Sequence, residues 1–145
     1  MKIRFTKLSD EEHQVQVLRD DGSEEARVLN SRSFLCHDFA HLATEQCVGL
    51  SKGYWGSVAK GTGLDGAGLG GPEIQLAEAL AAPIQTLMRE GAELDRYHKV
   101  LSYVLPDRDC AELAEKVKDM ARQLEGHWRA TPYGKSMEVE WPGSE

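Results

Sequence analysis

Apolar residues recur with two different periods along this chain, and the two periods divide it into strand-like ends around a helical middle. Ile3 and Phe5 alternate with Lys2, Arg4 and Thr6, and residues 13–19 alternate again, with Val15 and Val17 on one face. A period of two is the pattern of a half-buried strand. Asp20-Asp21-Gly22-Ser23 then supplies turn chemistry, and residues 24–29 read as the returning strand of a β-hairpin. At the far end Met137, Val139 and Trp141 alternate with Glu138 and Glu140 until Pro142 stops the run. The pattern predicts a small antiparallel sheet of three or four strands, made from residues 1–30 and a C-terminal strand over 136–141.

The middle follows helical spacing. Residues 33–50 form a predicted helix, with Ser31 or Ser33 as N-cap. Leu35, Phe39, Leu42, Ala43 and Leu50 gather on one side, which should pack on the sheet. Residues 51–71 read as a Gly-rich loop. Pro72 and Glu73 suit the first turn of a second helix, which Pro83 should break or kink. Ile84, Leu87, Gly91, Leu94, His98, Leu101 and Leu105 then make one inward seam. After Pro106–Asp109, Cys110, Leu113, Val117, Met120, Leu124 and Trp128 make another, opened by a capping box of Asp109 and Glu112. A short connection between two seams predicts an antiparallel helical hairpin over 72–129. The fold class is therefore α+β, one domain over 1–145: a small sheet, one helix over 33–50, and a long helical hairpin.

Composition narrows the partners. The formal net charge of −7 over 145 residues, with no Lys/Arg run, argues against nucleic acid, which needs a basic face. No apolar run approaches the roughly 18–20 residues that span a bilayer, and residues 1–7 lack the apolar stretch of a signal peptide. A cytoplasmic protein without a membrane partner is expected, and homo-oligomerisation stays open. Cys36, Cys47 and Cys110 are odd in number and form no C-x-x-C pair, so they read as structural thiols.

The chemistry concentrates in His37-Asp38-Phe39-Ala40-His41-Leu42-Ala43-Thr44-Glu45. Steps of four advance roughly 40° around a helix, so His37, His41 and Glu45 form one narrow stripe. Two imidazoles and a carboxylate suit a divalent metal, zinc first, with iron or manganese as alternatives. Glu45 is either the third ligand or a group that orients His41 from behind. Asp38 follows the first histidine, where His-Glu-x-x-His metallohydrolases carry their general base, although aspartate reaches one methylene less far. Phe34 and Val48 border the stripe, so a covering element is expected. His98 stands on an apolar seam where Leu would fit, and a hairpin laid over the stripe would bring it in as a fourth ligand.

The run from His37 to Gly56, including Gly53-Tyr54-Trp55-Gly56, resembles a family of uncharacterised small bacterial proteins with a helical His-Asp-x-x-His-x-x-x-Glu segment followed by Gly-aromatic-aromatic-Gly. That resemblance implies no particular activity. Shorter pieces look like the zincin metalloproteases, which have Glu in place of Asp38, and the HD-domain phosphohydrolases, which share the His37-Asp38 doublet. The helical His-Asp-x-x-His zinc motif of a coenzyme Q biosynthesis family is similar too, although its downstream Glu would fall on Gly53.

The sequence thus points to a metal-binding protein and, in its strongest form, a metal-dependent hydrolase of an unidentified small molecule. His37, His41, Glu45 and His98 would be ligands and Asp38 the base. The competing class is a non-catalytic regulatory or protein-interaction domain in which the same cluster is structural.

Overall fold

The computed structural model describes residues 1–90 and 94–142. Its architecture is α+β. β1 (Lys2–Lys7), β2 (Glu12–Leu18) and β3 (Glu24–Asn30) are followed by α1 (Ser31–Val48), α2 (Tyr54–Ala59), α3 (Pro72–Glu90), α4 (Leu94–Val104) and α5 (Cys110–Ala130), then β4 (Ser136–Glu140). The strands form one antiparallel sheet in the order β3-β2-β1-β4, so the C-terminal strand returns beside the N-terminal one. The hairpin turn forms where its residues predict. Gly22 adopts φ +87°, and Ser23 N donates to Asp21 Oδ1 at 2.8 Å.

The alternation seen in the sequence becomes the inner face of the sheet. Ile3, Phe5, Val15 and Val17 are buried there with Phe39, Leu42, Trp55 and Val58. On its other side α1 packs on the helical layer, where Ala40, Ala43 and Val48 meet Ala77, Leu80, Ile84, Leu101 and Val117. α1 is therefore a middle layer, buried without interruption from Asp38 to Glu45. The single sheet-facing side expected for this helix divides: Leu35, Phe39 and Leu42 join the sheet cluster, whereas Ala43 and Leu50 join the helical one. Small alanines allow this, because they let α3 lie close along α1.

Several boundaries differ from expectation. Asn30, not Ser31 or Ser33, caps α1 by accepting from Ser33 N at 3.1 Å. Ser31 instead shares a 2.9 Å hydrogen bond with His13 Nδ1. α1 ends at Val48 because Gly49 takes φ +84°, and Gly49 N and Leu50 N both donate to Glu45 O. The expected hairpin is three helices, since the seam from Ile84 to Leu105 is shared between α3 and α4. Its Gly91 lies outside the described residues. α3 runs through Pro83, although proline deprives Ala79 O of its helical donor. Ile84 and Leu87, buried just beyond, anchor the continuation. Asp109 caps α5 as expected, accepting from Glu112 N at 3.2 Å.

Candidate metal centre

His37 and His41 lie one turn apart on α1, their rings 4.4 Å apart between centroids. Each has its Nδ1 bound to a carboxylate of the same helix. His37 Nδ1 donates to Asp38 Oδ1 at 3.1 Å, and His41 Nδ1 donates to Glu45 Oε2 at 2.8 Å. Both Nε2 atoms are then left facing Glu78 of α3, at 4.0 Å from Oε1 for His37 and 3.3 Å for His41. His41 is 1% exposed, and its Nε2 has no hydrogen-bond partner despite the short separation from Glu78. A buried imidazole nitrogen left unpaired costs on the order of 1–3 kcal/mol.

The ligand atoms of His37, His41 and Glu78 all lie within 4.8 Å of one another. Around a tetrahedral zinc with bonds of about 2.0–2.1 Å, adjacent ligand atoms stand roughly 3.3–3.4 Å apart. The His41–Glu78 edge already has that length, and the His37–Glu78 edge is longer, at 4.0 Å. Glu78 is 56% exposed and the His37 side chain 30% exposed, so the group is open to solvent on that side. The donor set fits a divalent transition metal.

Glu45 lies behind His41 and outside the His37/His41/Glu78 group. Its carboxylate is 1% exposed. Oε2 accepts from His41 Nδ1 and Tyr54 N (3.0 Å), and Oε1 accepts from Trp55 N (3.0 Å) and Gly56 N (3.4 Å). These are the free donors of the first turn of α2, and burying a carboxylate requires such partners. Close approaches explain both glycines of the Gly53–Gly56 segment, that of Glu45 at Gly53 and that of the Ser51 backbone at Gly56. A Cβ on Gly53 would lie 2.4 Å from Glu45 Cδ, and one on Gly56 2.1 Å from Ser51 O. α2, which the sequence reads as loop, is therefore organised by a carboxylate from α1. Its Trp55 is core, with Nε1 donating to Asp38 O; Tyr54 stands edge-on to both histidines.

Asp38 is 3% exposed and stands behind His37 as Glu45 stands behind His41. Burial alone would lower the His37 pKa, but the Asp38 hydrogen bond and the charges of Asp38, Glu78 and Glu45 outweigh it, and the value rises above 6.5. His98 is half-buried on α4 and is not among the clustered ligand atoms. α4 packs chiefly on α5 and α3 rather than α1, and Tyr97 takes the inward position. The covering element the stripe required exists, but it is α3, and it brings Glu78. A signal for Glu78 was present: between Pro72 and Ala82 the second helix carries only two charges, Glu73 and Glu78. Glu73 accepts from Lys52 N instead.

No protein-family model matches the chain, and neither does any curated protein or solved structure. Among the described residues no helix is long and apolar enough to cross a membrane.

Proposed function

We propose that this protein binds one divalent transition metal, zinc first, through His37 Nε2, His41 Nε2 and Glu78, and that the site is hydrolytic. The observation that carries the reading is His41. Its ring is buried, its Nδ1 is fixed by a buried carboxylate, and its unpaired Nε2 is aimed at a second imidazole and an acid. Metal-bound histidines are held in this way, the carboxylate selecting the tautomer that leaves Nε2 free to coordinate. Three protein ligands leave a coordination position open, and an ion so held supplies Lewis-acid activation of water or of a carbonyl or phosphoryl group. The chain's own contribution is positional: Asp38 and Glu45 orient the imidazoles, and Glu78 completes the charge.

The test is elemental analysis of protein purified without chelator. About one zinc, iron or manganese per chain is expected. His37→Ala/His41→Ala should bring this to near zero with helix content preserved in circular dichroism. Unchanged stoichiometry in the double variant would sink the metal reading.

A further inference from the structure

A cavity of about 260 Å³ opens beside His37, walled by β3, the start of α1 and the loop after α2. One wall breaks the sheet pattern. Arg27 pairs in register with Val15, whose side chain is buried on the inner face, so alternation turns Arg27 to that same face. Its inner-face neighbours on β3 are already engaged. The Glu25 carboxylate accepts from Leu64 N and pairs with Arg19, and Leu29 packs against the sheet-side core. Arg27 lines the cavity from an exposed position on the edge strand, and its guanidinium makes no side-chain hydrogen bond or ion pair among the described residues. Asp65 and Asp38 share the wall, but Asp65 Oδ1 accepts from Ala67 N and Asp38 Oδ1 from His37 Nδ1. The apolar part of the lining is Phe34, 45% exposed, with Leu64 and Tyr54. Tyr54 is fixed there, its hydroxyl donating to Leu64 O at 2.6 Å.

We propose that this cavity binds a small organic anion, with its oxyanion group on Arg27 and its apolar body against Phe34 and Leu64, and that it is the substrate pocket of the metal centre. The second half rests on the metal reading; the anion site does not. Guanidinium presents a planar fork that matches carboxylate and phosphate alike. The volume lies just below the usual range for ligand pockets, about 300–1,000 Å³, so the ligand is small. His37 lies in the wall and joins this pocket to the ligand group. The competing explanation is that an inward charge on an edge strand only discourages pairing with other chains.

Benzoate and phenyl phosphate, titrated into the full chain with and without zinc and followed by calorimetry, decide between them. Saturable binding of at least one probe to zinc-free protein is expected, and the tighter probe identifies the oxyanion as carboxylate or phosphate. Arg27→Gln should weaken it about tenfold or more, as loss of a charge-assisted hydrogen bond does, with zinc stoichiometry unchanged. Phe34→Asp, at an exposed position, sets a negative charge in the cavity lining and should weaken both probes too. No saturable binding, or equal affinity in wild type and Arg27→Gln, overturns the anion site. Self-association of Arg27→Gln with unchanged probe affinity overturns it in favour of edge protection. Probe binding in a protein that takes up no zinc supports the anion site and overturns the metal reading; zinc uptake without probe binding does the reverse.

Discussion

His41 and His13 are buried to the same degree, at 1% and 0% exposure, yet they sit in opposite chemical surroundings. Each has a satisfied Nδ1 and an Nε2 without a hydrogen-bond partner. His13, on the inner face of the sheet, bonds the hydroxyl of Ser31 and packs among Phe5 and Trp128, with ring centroids 6.2 and 5.8 Å away. His41 bonds a buried carboxylate and faces Glu78 and His37. An orphaned imidazole nitrogen is therefore not by itself a ligand. Among aromatic rings it is a tolerated cost of packing; against an acid and a second imidazole it belongs to a group that could hold a metal ion.

The widest separation between the two comes from truncating each. His41→Ala should remove metal from a protein that otherwise carries about one ion per chain. His13→Ala should leave the stoichiometry intact and instead destabilise the fold by about 2–5 kcal/mol, the cost of a cavity in the core. Elemental analysis and urea unfolding read the two effects separately. Metal loss in His13→Ala with the fold intact would erase the distinction.

A smaller effect lies one step behind the ligands. Asp38→Asn and Glu45→Gln each alter the group that holds a histidine, and such changes cost about 10–100-fold in metal affinity. If Asp38 were only a base, affinity would hold and turnover alone would fall. The two differ in stability. Glu45 accepts at both oxygens, so an amide NH2 must face either the His41 and Tyr54 donors or those of Trp55 and Gly56. Glu45→Gln should thus also lose roughly 1–3 kcal/mol. Asp38→Asn should lose less, because the side-chain hydrogen bond between His37 and Asp38 engages one carboxylate oxygen only. Competition with a zinc chelator and thermal melting measure these.

Gly53→Ala should mimic Glu45→Gln from the other side of the contact. Its Cβ would meet the carboxylate at 2.4 Å, and overpacking of that kind costs about 1–3 kcal/mol. Reduced metal affinity should accompany the lost stability, because the carboxylate pushed back is the one holding His41. A variant destabilised but unchanged in affinity would separate α2 from the site.

These dependences show where the sequence is legible. Strands with period-two patterning, the hairpin turn, the α1 stripe and the C-terminal strand are written in local order, and all form. α2 is not local: Gly53-Tyr54-Trp55-Gly56 reads as loop because the carboxylate that ties down its first turn comes from Glu45. Glu78 was hidden for a related reason. Its partnership is set by how α3 lies along α1, and only the need for a cover over the stripe and the scarcity of charge on the first half of that helix hinted at it. Of the break or kink expected at Pro83, the break does not occur, since packing of Ile84 and Leu87 outweighs a local penalty of about 3 kcal/mol.

The finest contrast is in pH. Burial lowers the His13 pKa below 6.5, with the Asp38 charge opposing but not overcoming it. The folded state therefore binds fewer protons than the unfolded chain just below pH 6.5, and stability falls as pH drops from there toward the folded value. The sign is opposite for His37, whose raised pKa favours the folded state below 6.5 and loses that contribution as pH rises. The two contributions oppose each other in wild-type protein, so a variant is needed to separate them. His13→Phe keeps an aromatic ring among Phe5 and Trp128 and removes one of them. Urea unfolding of metal-free protein from pH 7.5 down to about 5 should show the variant holding stability better than wild type on the acid side. Parallel profiles would mean that His13 is protonated as readily in the fold as outside it, and that the two buried histidines differ less than their neighbours imply.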